Sequence, residues 1–246
     1  FFAFAAGFID SVVGGGGLIQ IPALLINLPN YSLTTLFGTN KIAALSGTSV
    51  AAVQDAQKIK YKFKLLFIIS FFSFISSNLG ARSLSHIYVN TLKPVILVIL
   101  ILIALYTFLK KELGSVQTKS LSFSKQAIYG SLMGIVVGFY DGFFGPGTGS
   151  FFVLGFVILL GFEFVTASAY AKMINCVTNI SALIVFIRQG HFLLDLAIMM
   201  AVCNIIGSIV GSRLALRKGN GFIRIVFLVI VTLMILRYGY DVLIKS

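Results

Sequence analysis

Of the 246 residues, 58% are hydrophobic and 11% are charged, and the mean hydropathy is +1.02. Soluble domains carry roughly 25% charged residues, so an ordinary soluble fold is excluded. The net charge of +12 sits mostly in short loops, which suits a membrane protein under the positive-inside rule rather than a nucleic-acid binder. Apolar runs long enough to span a bilayer recur, and the alternating short strands of a β-barrel are absent from the sequence pattern. The chain reads as an all-α, polytopic integral membrane helical bundle.

Two apolar arms, residues 1–13 and 18–29, flank the run Gly14-Gly15-Gly16-Gly17. Each is shorter than the ~20 residues of a full span, which suits a re-entrant segment. Pro29-Asn30 closes the second arm, and residues 31–55 form a helix carrying Asn40-Lys41. A loop with Lys58, Lys60, Lys62 and Lys64 leads to helices at 65–84 and 92–109. Residues 110–126 are a polar, basic linker between a first transmembrane repeat, 1–109, and a second, 127–246. The second half repeats the plan: an arm at 127–144, a break at Gly145-Pro146-Gly147-Thr148-Gly149, an arm at 148–161, and helices at 164–187, 192–215 and 222–243. The chain opens at Phe1, so its start is expected to lie upstream.

The halves match without a gap at one offset: 141 − 10, 145 − 14, 172 − 41 and 213 − 82 all equal 131. Matches of Asp, Lys and Arg carry weight because charges are scarce here. Internal repeats of this kind are the usual plan of secondary transporters. The basic loop shifts by one position between the halves, which favours inverted over parallel repeats. Inversion needs an odd number of crossings in each half. Three helices plus a re-entrant hairpin would supply it, whereas eight plain crossings would give parallel halves.

Lys41 and Lys172 lie well inside apolar helices, where a Lys costs ~2.5–3.5 kcal/mol on insertion scales and therefore marks a functional site. They bind an anion, or form ion pairs with Asp10 or Asp141, which precede them by 31 residues in both halves (41 − 10 and 172 − 141), or do both if the pair opens for substrate. The breaks cannot continue a helix cheaply, since Gly costs about 1 and Pro about 3 kcal/mol against Ala. In a bilayer such opened backbone survives only where it is buried or lines a cavity, and half-helix N-termini suit anions. Candidate substrate-binding residues are Gly14, Gly15, Gly16, Gly17, Asn40, Lys41, Gly145, Gly147, Thr148, Lys172 and Asn175. Asp10 and Asp141 are candidates for ion pairing or for carrying a coupling proton. Asn179 and Ser46 share the lysine helices; Arg82 and Arg213 sit near helix ends, where snorkelling is the default. His86, His191, Cys176 and Cys203 form no metal-ligand spacing and no nucleophile–base set, so neither metal, cofactor nor enzymatic role is expected.

With Gly7-Phe8-Ile9-Asp10-Ser11-Val12-Val13-Gly14-Gly15-Gly16-Gly17 followed by Pro22, with Gly38-Thr39-Asn40-Lys41, and with the second glycine motif at 138–149 and Lys172, the chain resembles the TauE/SafE family of sulfite and sulfonate exporters. The resemblance spans essentially the whole length. It implies a multi-pass bacterial inner-membrane carrier of two repeats that moves a small organosulfur or related anion. Pro146 replaces a glycine of the break in the second copy, and Val153 stands where the first has Pro22, so the two sites need not be equivalent. An anion channel on the same scaffold, or a membrane-embedded accessory protein of sulfur metabolism, are the alternative readings. Partners are expected to be a small anion, a coupling proton and the bilayer. Small-residue faces such as Gly207-Ser208 would also suit a homo-oligomer.

Overall fold

The computed structural model describes residues 1–84, 114 and 116–243. The expected helix at 92–109, most of the first part of the linker, and His86 lie outside the described residues. Among the described residues the elements are helical: α1 (Phe2–Val13), α2 (Gly17–Asn27), α3 (Leu33–Ala56), α4 (Phe63–Ser83), α5 (Phe123–Phe143), α6 (Thr148–Gly155), α7 (Phe164–Arg188) and α8 (Leu194–Leu243). A π-helical turn, Phe156–Leu160, continues α6 and stops at Gly161, whose φ is 74°. The expected helices at 192–215 and 222–243 are both present within α8, as two helices joined at Gly219, whose backbone is not helical (φ 71°, ψ −160°).

The chain is inside-out relative to a soluble protein. Phe63 and Phe67 on α4, Val136 on α5 and Met199 on α8 are exposed, whereas Asp10, Lys41, Asp55, Asp141 and Lys172 are buried. Apolar side chains facing outward and ionisable groups facing inward are what a bilayer demands. Helices Phe63–Ser83, Phe164–Arg188 and Leu194–Ile230 are long and apolar enough to cross it. The protein is thus an all-α membrane bundle.

Contact order along the helices gives their directions. Phe4 meets Gly207 and Phe8 meets Gly211, so α1 and α8 run parallel. Ile69 meets Gly130, Ser73 meets Gly138 and Ser77 meets Gly142, so α4 and α5 run parallel. Thr39 accepts from the Leu193 N–H, and Gly47 packs on Asn204 and Ser208, which sets α3 parallel to α8. Ser49 meets Cys176 and Asp55 meets Lys172, so α3 and α7 are antiparallel. Tyr170 accepts from the Lys62 N–H, and Ser77 donates to the Thr178 carbonyl, so α7 is parallel to α4. Hence α1, α3 and the part of α8 before Gly219 run one way, and α4, α5 and α7 the other.

These contacts recur at the sequence offset with the halves exchanged. Gly7 lies on the Asn204 backbone and Gly138 on the Ser73 backbone; 7 + 131 = 138 and 73 + 131 = 204. Gly211 lies on Phe8 and Gly80 on Phe139; 80 + 131 = 211 and 8 + 131 = 139. Glycine at each crossing lets backbone meet backbone, the usual device where lipid offers no hydrophobic drive for helix association.

Both arms turn back after their breaks. Asn204 meets Gly7 of α1 and also donates to Gln20 of α2 at 2.8 Å, so α2 returns to the level of early α1. Gly155 of α6 likewise lies against Met133 of α5. The breaks therefore sit inside the bundle.

Candidate functional site

The first break is held open by borrowed donors. A helix end leaves carbonyls without intrahelical partners, and α1 ends at Gly14, whose φ of 74° is left-handed. The hydroxyl of Ser168 donates to the Val12 carbonyl (2.8 Å), Ser150 donates its hydroxyl to Val13 (2.9 Å), and the Ser150 N–H reaches Gly14 (3.1 Å). Two of these three bonds come from α6, just past the second break. Gly14 and Gly149 are in such close contact that a Cβ on either would overlap the other's backbone. The second break is closed locally: Tyr140 donates its hydroxyl to the Pro146 carbonyl (2.7 Å), and Thr148 to Gly145 (2.6 Å).

Where the breaks meet, a cavity of about 20 Å³ opens, lined by Asp10, Gly14, Gly17, Asn40, Lys41, Ala44, Asp141, Gly145, Gly147, Thr148, Gly149, Asn175 and Asn179. One water needs roughly 10–15 Å³ on this measure, so the site has room for about one small group. The sequence candidates Gly14, Gly17, Asn40, Lys41, Gly145, Gly147, Thr148 and Asn175 come together here, with Asp10 and Asp141. The first turns of α2 and α6 also face it, bringing two positive dipole ends to one point. The side-chain oxygens of Asn40 and Asn175 are buried without a hydrogen-bond partner. Rotated by half a turn, either amide presents its NH2 instead.

Gly15, Gly16 and Lys172 are not on the cavity wall. A side chain at Gly15 would point at Ile230, Ile9 and Leu18, away from the cavity. Gly16 acts through its N–H, which donates to Asp10 Oδ1 at 3.3 Å. Lys172 is taken up by a residue that the sequence reading did not single out: its Nζ lies 2.5 Å from Asp55 Oδ2, and Ser212 donates to Asp55 Oδ1 at 2.8 Å. In the loop that follows, burial first and then the Asp55 carboxylate push the Tyr61 phenol above its ordinary range.

The expected ion pairs at a spacing of 31 therefore do not form. Lys41 pairs instead with Asp141 of the other half, at 2.7 Å. Among the described residues Asp10 meets no ammonium; it accepts from Thr48 Oγ1 (2.5 Å) and from Gly16. The cause is helix direction, since the parallel packing of α4 with α5 carries the end of α5 across to the first half. Asp55 was legible only as a charge at a helix end, and Thr48 as a small residue of an apolar run; Gly149 was legible as part of the second break. Among the described residues no group of three or more His, Cys, Asp or Glu could hold a metal.

Comparison with known proteins agrees with this architecture. The family profile described as "Sulfite exporter TauE/SafE" matches residues 1–238. The "Probable membrane transporter protein ORF9" of Sinorhizobium sp is 40% identical over 223 residues, covering 90% of this chain and 84% of that one. The "Probable membrane transporter protein YfcA" of Escherichia coli strain K12 is 34% identical over 241 residues, covering 98% and 88%. The "Probable membrane transporter protein YdhB" of Bacillus subtilis strain 168 is 26% identical over 215 residues, covering 85% and 86%. No solved structure matches. The chain belongs to the TauE/SafE family of membrane transporters.

Proposed function

We propose that this transporter is a secondary carrier for a small anion, an oxidised sulfur compound such as sulfite or a sulfonate. It works by alternating access between two inverted repeats in a multi-pass arrangement in the bacterial inner membrane. The observation that carries the reading is the meeting of both glycine breaks with Lys41 at one buried cavity. Half-helix N-termini pointing at an anion near the bilayer midplane are a recurrent transporter device. Here they are joined by an ammonium and by amides that can turn their donors inward. The opposed directions of α1 and α5, together with the contacts repeated at 131, support the duplication.

In this mechanism Lys41 shares its charge between Asp141 and the substrate. The anion enters against the ammonium and the two helix ends, and the Gly14–Gly149 crossing lets the halves rock about the bound ion. Lys172 and Asp55 act at a distance from the substrate, as a buried ion pair joining the halves. The sulfur-anion identity comes from the family description; the cavity chemistry supports an anion with several acceptor oxygens.

The test is anion flux in proteoliposomes containing the full chain, with sulfite, sulfate, thiosulfate and isethionate as probes. Saturable flux of one of them, with counter-transport, is the expected result. Movement of halides or carboxylates alone overturns the sulfur assignment, and flux that does not saturate indicates a channel instead.

A further inference from the structure

The cavity wall holds two carboxylates and one ammonium. Asp141 is matched by Lys41 at 2.7 Å. Among the described residues Asp10 is matched by neutral donors alone, the Thr48 hydroxyl and the Gly16 N–H. Among the described residues the charged and titratable groups around it come from three elements: Lys41 of α3 and Asp141 of α5 on the same cavity, and Lys172 and Cys176 of α7. Lys41 is bound to Asp141, and Lys172 to Asp55. The segment 17–27 of α2 and the segment 148–155 of α6 contain no ionisable side chain. The α8 residues that meet α1, Asn204, Gly207 and Gly211, do not ionise either. An ionised Asp10 would thus be a buried charge with no ion-pair partner, and an incoming anion would double the problem. Buried charges of one sign that cannot be paired are neutralised instead.

Resting on the anion reading above, we propose that Asp10 is the proton-coupling residue of this transporter, taking up one proton from solution for each anion bound. The step balances simply: the Asp10 carboxylate and one proton give the carboxylic acid, and the proton returns to solution when the anion leaves on the other side. Thr48 is suited to both states. Its hydroxyl donates to the carboxylate and, turned about its C–O bond, accepts from the acid, because a hydroxyl is both donor and acceptor. The Gly16 N–H stays on Oδ1 throughout, so protonation is transmitted directly to the first glycine break. Asp141 has no such freedom while Lys41 holds it.

Two measurements test this with the full chain in lipid. The first is isethionate accumulation in proteoliposomes with a pH-sensitive dye inside, since this sulfonate remains an anion across the working pH range. Wild type should accumulate it when the outside is more acid, and an isethionate gradient alone should move protons. In Asp10→Asn, accumulation driven by the pH gradient should fall roughly tenfold further than exchange at equal pH, and Asp10→Glu should restore the dye response. Anion movement in wild type without any proton signal, or accumulation driven by a sodium gradient in place of the pH gradient, overturns the proposal. The second measurement needs no substrate: infrared difference spectra between acid and alkaline buffer should show a carboxylic acid band that is missing in Asp10→Asn and retained in Asp141→Asn. A spectrum unchanged by Asp10→Asn overturns the proposal even if no sulfur anion moves, whereas an anion panel without flux overturns only the substrate reading.

Discussion

Lys41 of α3 and Asp141 of α5 form a buried ion pair at 2.7 Å that joins the two halves across the cavity between the glycine breaks. Neither partner is more than 6% exposed. A pair so placed is costly to desolvate and more costly to break, because removing one member leaves the other charge buried alone.

Lys41→Ala is therefore expected to abolish anion flux and to destabilise the protein, by about 3–5 kcal/mol if the whole penalty is expressed. The double variant K41A/D141N removes both charges and should recover most of the lost thermal stability. It should not recover flux. Thermal unfolding in detergent and flux in proteoliposomes separate the two effects. Flux in the double variant would show that Lys41 serves structure alone.

Lys172 behaves differently because its partner, Asp55, lies off the cavity and is also held by Ser212. Lys172→Met should lower stability by an amount comparable to the loss in Lys41→Ala, on the order of 3–5 kcal/mol. K172M/D55N should restore stability and retain measurable flux with an altered maximal rate. Complete loss of flux in a stable double variant would place Lys172 back among the substrate contacts.

The sequence shows how much of this could be foreseen. Membrane character, the half-length arms, the two breaks and the lysine helices all follow from residue types whose cost in a bilayer is high. Ten of the candidate residues meet at one cavity because they flank those breaks or lie on those helices. Asp141 was legible as an ion-pair candidate, but the lysine it meets was not, and neither was Asp55. A spacing of 31 repeated in each half suggests pairing within a half, but pairing follows helix direction, and α5 carries Asp141 to Lys41 of the other half. Asp55 closes α3 at a polar loop, where a carboxylate reads as a solvated end; only its packing against α7 and α8 buries it. The boundary between the last two helices was legible, because Gly219 sits in the polar stretch Arg217-Lys218-Gly219-Asn220-Gly221, and the helical backbone breaks there.

Gly14 is a position where both conformation and space demand glycine. Its φ is 74°, and a Cβ there would collide with the Gly149 backbone. Gly190 shares the left-handed conformation, at φ 71°, but has nothing within 4 Å of where a Cβ would stand. Gly190→Ala should therefore cost only about 1–2 kcal/mol, the conformational penalty alone, and leave flux near wild type. Gly14→Ala should cost more and should abolish flux, because it drives the two breaks apart. Equal behaviour of the two variants, by thermal unfolding and flux, would show that the Gly14–Gly149 crossing has no special role.

The directions of the helices make a prediction about sidedness. The parallel packing of α3 with α8, and their opposition to α4, α5 and α7, place the loop 57–62 at one end of the bundle and the turn 189–193 at the other. The loop end carries Lys58, Lys60, Lys62 and Lys64, and the start of α5 reaches it through the bond from Lys62 Nζ to Gln126 at 3.2 Å. Basic loops face the cytoplasm, so that end is expected inside. Lys58, Asn30 and Gln189 are all exposed, which suits them to labelling. In a background with Cys176→Ser and Cys203→Ser, a membrane-impermeant maleimide should reach Lys58→Cys only in inverted vesicles. The same reagent should reach Asn30→Cys and Gln189→Cys only in intact spheroplasts. Lys58 and Gln189 occupy corresponding loops of the two halves, since 58 + 131 = 189. Parallel repeats would put them on the same side of the membrane and inverted repeats on opposite sides. Labelling of both from one side would therefore reject the inverted arrangement, and with it the alternating-access geometry that depends on two opposed halves meeting at one cavity.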